Sequence, residues 1–351
     1  MLMVHLGIGE TGMSLSVGKL RYVLSLIRHY RDQLRKRRFR KRDWRQQKDQ
    51  YFVTHYLRSK KPVYERSPGQ RTSIDSWGIV MQGPLLSDNN YTLNTLTQYR
   101  KWFPESPVIF STWNDQNPET LDKIRGLGCD VLVSDTQEFE VHSANSNFNR
   151  QLHSSHLGIA QAARLGVKFA VKTRSDQRIY NPHSLESLQE LLRKFELRNA
   201  VNQNARIAVS SLNTFALRLY GVSDMFTFGQ IDDLLVYWNG RLDLRKVSNS
   251  GGFSRSYATN RNMEVFLATN FLENCGDSLE WTLADYWDSL ARRFLVVDSN
   301  YLDLHWPKYR PIENRWSWNN DKRSAEVSFA MWLGMLNGSL ICDESQLNSL
   351  Y

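Results

Sequence analysis

The stretch Trp77-Gly-Ile-Val-Met-Gln-Gly-Pro84 decides the fold. It reads as a strand running into a turn, and from it the pattern alternates. Residues 92–103 read as a helix with Leu93, Leu96 and Trp102 on one side. Val108–Thr112 is a short buried strand. Asn117, Pro118 and Glu119 open a helix with a capping residue and a proline at its first position, and Gly126 and Gly128 close it. Asp130–Ser134 is the next strand, followed by a loop rich in Asn and Ser. Phe148–Leu165 is a helix ended by Gly166. Lys168–Lys172 is a strand that runs into Thr173, Arg174, Ser175 and Asp176. Strands and helices in strict alternation predict an α/β domain with a parallel sheet covered by helices.

In such sheets ligands sit at the carboxyl ends of the strands. Those ends carry Gln82, Gly83 and Pro84; Trp113, Asn114 and Asp115; Ser134 and Asp135; and Arg174, Ser175 and Asp176. Their polar side chains converge on one crevice. Beyond residue 206 the pattern changes. Ile207–Ser211 reads as a strand, and Gly221–Gly229 as a polar turn before a helix from Ile231 to Trp238. Residues 239–256 form a polar loop. Met263–Leu272 and Ser278–Arg293 are helical, and Phe294–Val297 is a last strand.

Outward from this body the composition shifts. The chain has 351 residues, 41% of them hydrophobic, enough for a sizeable core. Its net charge of +9 is uneven: residues 19–71 hold 18 Lys/Arg against 4 Asp/Glu, whereas residues 72–351 hold 27 against 31. The basic part, residues 1–57, reads as an amphipathic arm. Leu20, Val23, Leu24, Ile27, Tyr30 and Leu34 recur at helical spacing, and Arg35–Arg45 is dense in cations, which suits an anionic membrane surface. The other reading of the arm is a solvated helix packed on the body or a partner. Residues 58–75 are a linker. No run of about 18 apolar residues is present, and no secretory leader is recognisable. Three widely spaced cysteines, Cys129, Cys275 and Cys342, make neither a disulfide framework nor a CxxC metal site and fit a reducing cytoplasm. The sequence has no GxSxG and no P-loop, which excludes those chemistries, and no nucleic-acid-binding fold is legible downstream of the arm.

Four segments carry a resemblance: Ile79–Pro84 (IVMQGP), Phe148–Gln151 (FNRQ), Val171–Arg178 (VKTRSDQR) and Val222–Gly229 (VSDMFTFG). Together they resemble the WavE-type lipopolysaccharide synthesis family over roughly residues 75–310. The resemblance implies a GT-A-like glycosyltransferase. That means a Rossmann-like, mostly parallel sheet flanked by helices, a nucleotide-sugar donor, a lipid-linked or oligosaccharide acceptor, and usually Mn²⁺ or Mg²⁺. Residues 76–351 then form the catalytic domain, with a donor half over about 76–180 and an acceptor half over about 181–310. The implied location is the cytoplasmic face of a bacterial membrane. The alternative is a non-catalytic or nucleotidyltransferase-like protein that binds sugar nucleotides.

The residues are consistent with that chemistry. Glycosyl transfer releases a charged diphosphate, which a metal or Arg/Lys must neutralise. GT-A enzymes hold the metal on an Asp-x-Asp turn after the fourth strand. The matching turn here is Arg174-Ser175-Asp176, with arginine in place of the first acid. Either Asp176 holds the metal, or Arg174 and Lys172 neutralise the charge without one. Gln82, Gly83 and Pro84 allow close approach of a nucleotide, Asp115 is placed to hold base or ribose, and Arg150 to reach a phosphate. An inverting enzyme needs a carboxylate base. Asp224 is the first choice, ahead of Asp232, Asp233, Glu264 and Asp285. His305, beside Trp306, is a candidate to complete a metal shell. Each of these residues also has an ordinary structural reading as a cap, turn or core residue.

Overall fold

A computed structural model of the chain describes residues 76–136, 146–197, 202–239, 242–243, 264–306 and 325–348. The basic arm, the linker and most of the loop 239–256 lie outside the described residues, as do Trp316 and Trp318. Among the described residues no helix is long and apolar enough to cross a membrane.

The first half follows the expected alternation. It runs β1 (Trp77–Gln82), α1 (Tyr91–Trp102), β2 (Val108–Trp113), α2 (Pro118–Gly126), β3 (Asp130–Ser134), α3 (Ser146–Arg164) and β4 (Phe169–Arg174). All four strands are parallel, β1 lying between β2 and β4. Every residue of β1 and β2 is buried. That is the consequence of covering both faces of a parallel sheet, and it is why these strands are mostly apolar, with polar residues only near their carboxyl ends. At α2 the side chain of Asn117 accepts from the amide of Thr120, with Pro118 at the first helical position.

The second half was less legible. After a two-residue strand β5 (Arg178–Ile179) come α4 (Ser184–Lys194), β6 (Ile207–Ser210), β7 (Thr227–Gln230), α5 (Ile231–Trp238), α6 (Glu264–Asn274), α7 (Leu283–Arg293), β8 (Phe294–Val297), β9 (Leu304–His305), α8 (Phe329–Leu336) and α9 (Ser345–Asn348). The sheet order is β3-β2-β1-β4-β7-β6-β8. The segment read as a polar turn ends in strand β7, which inserts antiparallel between β4 and β6. The sheet is therefore mixed but mostly parallel and flanked by helices, the α/β, GT-A-like arrangement that the resemblance implied. Helix α7 starts five residues later than its apolar periodicity predicts, because Thr282 caps it by accepting from the amide of Asp285 at 3.1 Å.

Two glycines set the geometry of the site. Gly83 ends β1 at φ +119°, and a Cβ there would lie 2.7 Å from Ser175 Oγ, so the β1 and β4 ends close on each other only with glycine. Gly158 brings α3 down on β1: a Cβ would lie 2.3 Å from Val80 Cγ1. This close seat fixes the start of α3 over the strand ends.

Candidate functional site

The site is built on the alternation of one strand. In β4, Lys172 and Arg174 are two apart and share a face, so one is deep and the other at the rim. Lys172 is fully buried. Its ammonium donates to the main-chain oxygen of Asp224 at 2.6 Å and lies 4.4 Å from the Trp238 ring centroid. Burial pulls its pKa down to about 7; Asp224 opposes that shift and Arg174 adds to it. Arg174 is a quarter exposed. Its Nε and Nη2 donate to the two carboxylate oxygens of Asp176 at 2.8 and 3.0 Å, a bidentate charge-assisted pair. Trp306 Nε1 donates to the same carboxylate at 3.0 Å, and the guanidinium lies 5.6 Å from the Trp306 ring.

Helix α3 adds the next layer. Successive helical residues point about 100° apart, so Phe148–Gln151 send four side chains four ways. Phe148 packs edge-on against Phe266. Asn149 clamps the backbone of Asp243 with both halves of its amide, at 2.9 and 2.8 Å. Arg150 lies over the Trp113 ring at 5.9 Å, and its Nε is buried without a hydrogen-bond partner among the described residues. Gln151 bridges. Its Nε2 donates to Asp224 Oδ2 at 2.7 Å, and its Oε1 accepts from Arg174 Nη1 at 3.5 Å. The result is a continuous polar row: Trp306, Asp176, Arg174, Gln151, Asp224 and Lys172.

Behind Asp224 lies a second carboxylate. Burial pushes the Glu264 carboxyl above its ordinary range, Asp224 adds to the shift and Arg218 opposes it. The Tyr237 hydroxyl, also influenced by both acids, is raised well above its usual value, chiefly by burial. Glu264 Oε2 and the Tyr237 hydroxyl have no hydrogen-bond partner among the described residues.

The other sequence candidates fall into two groups. Gln82 is buried and accepts from Ser154 Oγ at 3.1 Å, while its main-chain oxygen accepts from the Ser175 amide at 2.9 Å, so it ties β1 to β4. Pro84 and Asp115 are exposed on the rim. Asp115 accepts from Gln116, which itself accepts from the Leu85 amide at 2.6 Å. His305 contacts Tyr91, hydroxyl to Nδ1 at 3.0 Å; its neighbour Trp306, not His305, reaches Asp176. Two of the lesser acids are structural. Asp233 accepts from the amides of Asn204 and Ala205 at 2.8 and 2.9 Å. Asp285 accepts from the Tyr220 hydroxyl and from the Glu280 amide. Asp232 is exposed at the start of α5.

Sequence reasoning gave no role to Gln151, Trp306, Trp113 or His153. Trp113 and His153 stack at 6.2 Å at the end of β2, beside Arg150. Gln151 carried a usable signal, since it lies one turn from Ser154 and Ser155 on a buried stripe of α3. Trp306 carried none: it reaches Asp176 because β9 pairs with β5, a contact 127 residues apart at Arg178 and His305.

A family model described as WavE lipopolysaccharide synthesis matches residues 78–348. No curated protein matches the chain. Among solved structures, the chain is similar to glucosyl-3-phosphoglycerate synthase from Mycobacterium tuberculosis at 12% identity and TM-score 0.27, covering 59% of this chain and 82% of that one. It is similar to mouse xyloside xylosyltransferase 1 at 10% identity and TM-score 0.28, covering 57% and 81%. A third likeness, at 15% identity and TM-score 0.25, is to mannose-1-phosphate geranyltransferase from Thermus thermophilus; it covers 39% of this chain and only 41% of that protein. The sheet order and the polar row, not these distant superpositions, define the fold and the site.

Proposed function

The chain belongs to the WavE lipopolysaccharide synthesis family, and on that premise we propose that it is a glycosyltransferase. It moves a sugar from a nucleotide-sugar donor to a growing lipopolysaccharide or other surface glycan. The observation that carries this reading is Gln151, whose one amide joins the Asp224 carboxylate to the Arg174 guanidinium at the strand ends. A base and a phosphate-binding cation held a fixed distance apart are what glycosyl transfer needs.

The acceptor oxygen attacks the anomeric carbon while Asp224 takes the hydroxyl proton. The bond from that carbon to the diphosphate oxygen breaks, and its electron pair leaves with the nucleoside diphosphate. Arg174 and Arg150 meet the charge that develops there. Lys172, sealed behind Asp224, holds the Asp224 backbone by its carbonyl rather than touching the phosphates. His153, stacked on the buried Trp113 ring, lies beside Arg150 at the proposed nucleotide end of the site.

The test is donor hydrolysis and transfer with UDP-, GDP- and dTDP-sugars. Asp224→Ala is expected to lower turnover on the order of 100-fold or more while donor binding holds. Unchanged turnover would remove Asp224 as the base, and no turnover of any donor by the wild type would favour the non-catalytic alternative. The basic arm accounts for placement at the cytoplasmic face of a bacterial membrane. Deleting residues 1–60 is expected to abolish co-sedimentation with anionic vesicles, and retained sedimentation would take that role from the arm.

A further inference from the structure

The turn after β4 has one acid where a protein-held divalent cation is expected to find two. Mg²⁺ and Mn²⁺ are hard cations that take about six oxygen ligands. Among the described residues, no group of three or more His, Cys, Asp or Glu comes together to hold a metal. Asp176 is the acid of the turn, and both of its oxygens are engaged. Arg174 takes them with Nε and Nη2 at 2.8 and 3.0 Å, and Trp306 adds a third donor at 3.0 Å. A metal on Asp176 would have to displace a bidentate cation and then sit beside its charge. The residues present do not fit a metal held by Asp176.

We propose that Arg174 is itself the cation at the donor diphosphate, that Asp176 is its positioning residue, and that donor binding needs no divalent metal. This rests on the glycosyl-transfer reading and deepens it. Among the described residues, Asp176, Gln151 and Trp306 hold the guanidinium. Asp176 holds the edge formed by Nε and Nη2, Gln151 meets Nη1 at 3.5 Å, and the Trp306 ring lies 5.6 Å from the guanidinium carbon. Holding one edge of a planar group fixes the direction of all its N–H bonds, which is how an arginine recognises a phosphate with geometry as well as charge. Arg174 is a quarter exposed, so a ligand in the crevice can reach it. Lys172 takes no part, because it is fully buried and committed to the Asp224 carbonyl. Among the described residues, Arg174 at the end of β4 and Arg150 near the start of α3 bring positive charge to the strand ends.

The experiment is calorimetric titration of the full chain with UDP, GDP and dTDP, each in EDTA and in MnCl₂. One diphosphate is expected to bind with a Kd in EDTA within about 3-fold of its value in MnCl₂. Arg174→Lys keeps the charge but loses the fork, and is expected to weaken binding about 10-fold in both buffers. Asp176→Asn keeps an acceptor for the guanidinium and is expected to weaken binding less, again equally in both buffers. Binding that disappears in EDTA and returns with MnCl₂ overturns the proposal while leaving glycosyl transfer standing. So does an Asp176→Asn variant that binds as wild type in EDTA but loses a manganese response. Absence of diphosphate binding in both buffers overturns the transfer reading and this proposal together.

Discussion

Lys172 and Arg174 lie two residues apart on one face of β4, yet one is fully buried and the other a quarter exposed. Each faces an acid. Arg174 is held side chain to side chain by the Asp176 carboxylate, while Lys172 hydrogen-bonds to the main-chain oxygen of Asp224. The difference is one of depth along the strand, roughly 7 Å at the rise of an extended chain. Near the rim, water screens a charge and a guanidinium stays ionised. Deep in the sheet, desolvation dominates, and burial pulls the Lys172 ammonium down to about 7. The same residue class thus serves two ends: the rim cation can meet ligand charge, and the deep cation anchors the backbone that presents the candidate base.

Gln151 is where the two levels meet, so it is the place to break the comparison. Gln151→Leu keeps much of the volume but severs the amide link between Asp224 and Arg174. A lost hydrogen bond to a charged group costs about 1.5–3 kcal/mol, which predicts a fall in kcat on the order of 10-fold or more. Gln151→Glu gives a second check, since a carboxylate there would face Asp224 and should cost more than Leu. If Gln151→Leu turns over as wild type, the rim and the interior act independently, and the row is packing rather than machinery.

The first half of the molecule was legible because its signals are local. WGIVMQ, VIFSTW and DVLVS are runs whose type is fixed by their own composition, and Asn117, Pro118, Gly126 and Gly128 bracket α2 from within. The places of Arg174 at the end of β4, Asp176 just past it and Arg150 near the start of α3 followed from that alternation. What stayed hidden depends on contacts distant in sequence. Thr227–Gln230 is a strand because β4 and β6 leave a gap for it, pairing Lys172 with Thr227 across 55 residues. Its own sequence, TFGQ, contains a glycine and ends at a helix start, so local reading favours a turn. Trp306 is brought to Asp176 by a two-residue ribbon that no periodicity marks. The Arg174–Asp176 pair was equally invisible, because spacing places an arginine and an acid on one turn without saying which group either one engages.

The smallest expected effect sharpens the comparison from the inside. Burial raises the Glu264 carboxyl above its ordinary range, with Asp224 adding and Arg218 opposing. A carboxyl whose folded pKa lies above its unfolded value binds more protons in the folded state. Its stabilising contribution is complete below the ordinary value of 4.5 and is lost as pH rises through its raised folded value. The slope is at most about 1.4 kcal/mol per pH unit, set by one proton. Lys172 acts in a separate window with the opposite sign. Its folded pKa of about 7 lies below the ordinary 10.5, so stability rises with pH between those values. Denaturant melts should therefore show stability falling as pH rises above the ordinary carboxylate range in the wild type, and recovering above about pH 7 as Lys172 contributes. Glu264→Gln should remove the fall and leave the recovery, and Lys172→Met should do the reverse. If Glu264→Gln leaves the fall intact, the interior carboxylate titrates as if solvated. The deep level would then be as wet as the rim, and the contrast between Lys172 and Arg174 would have to come from their partners rather than from depth.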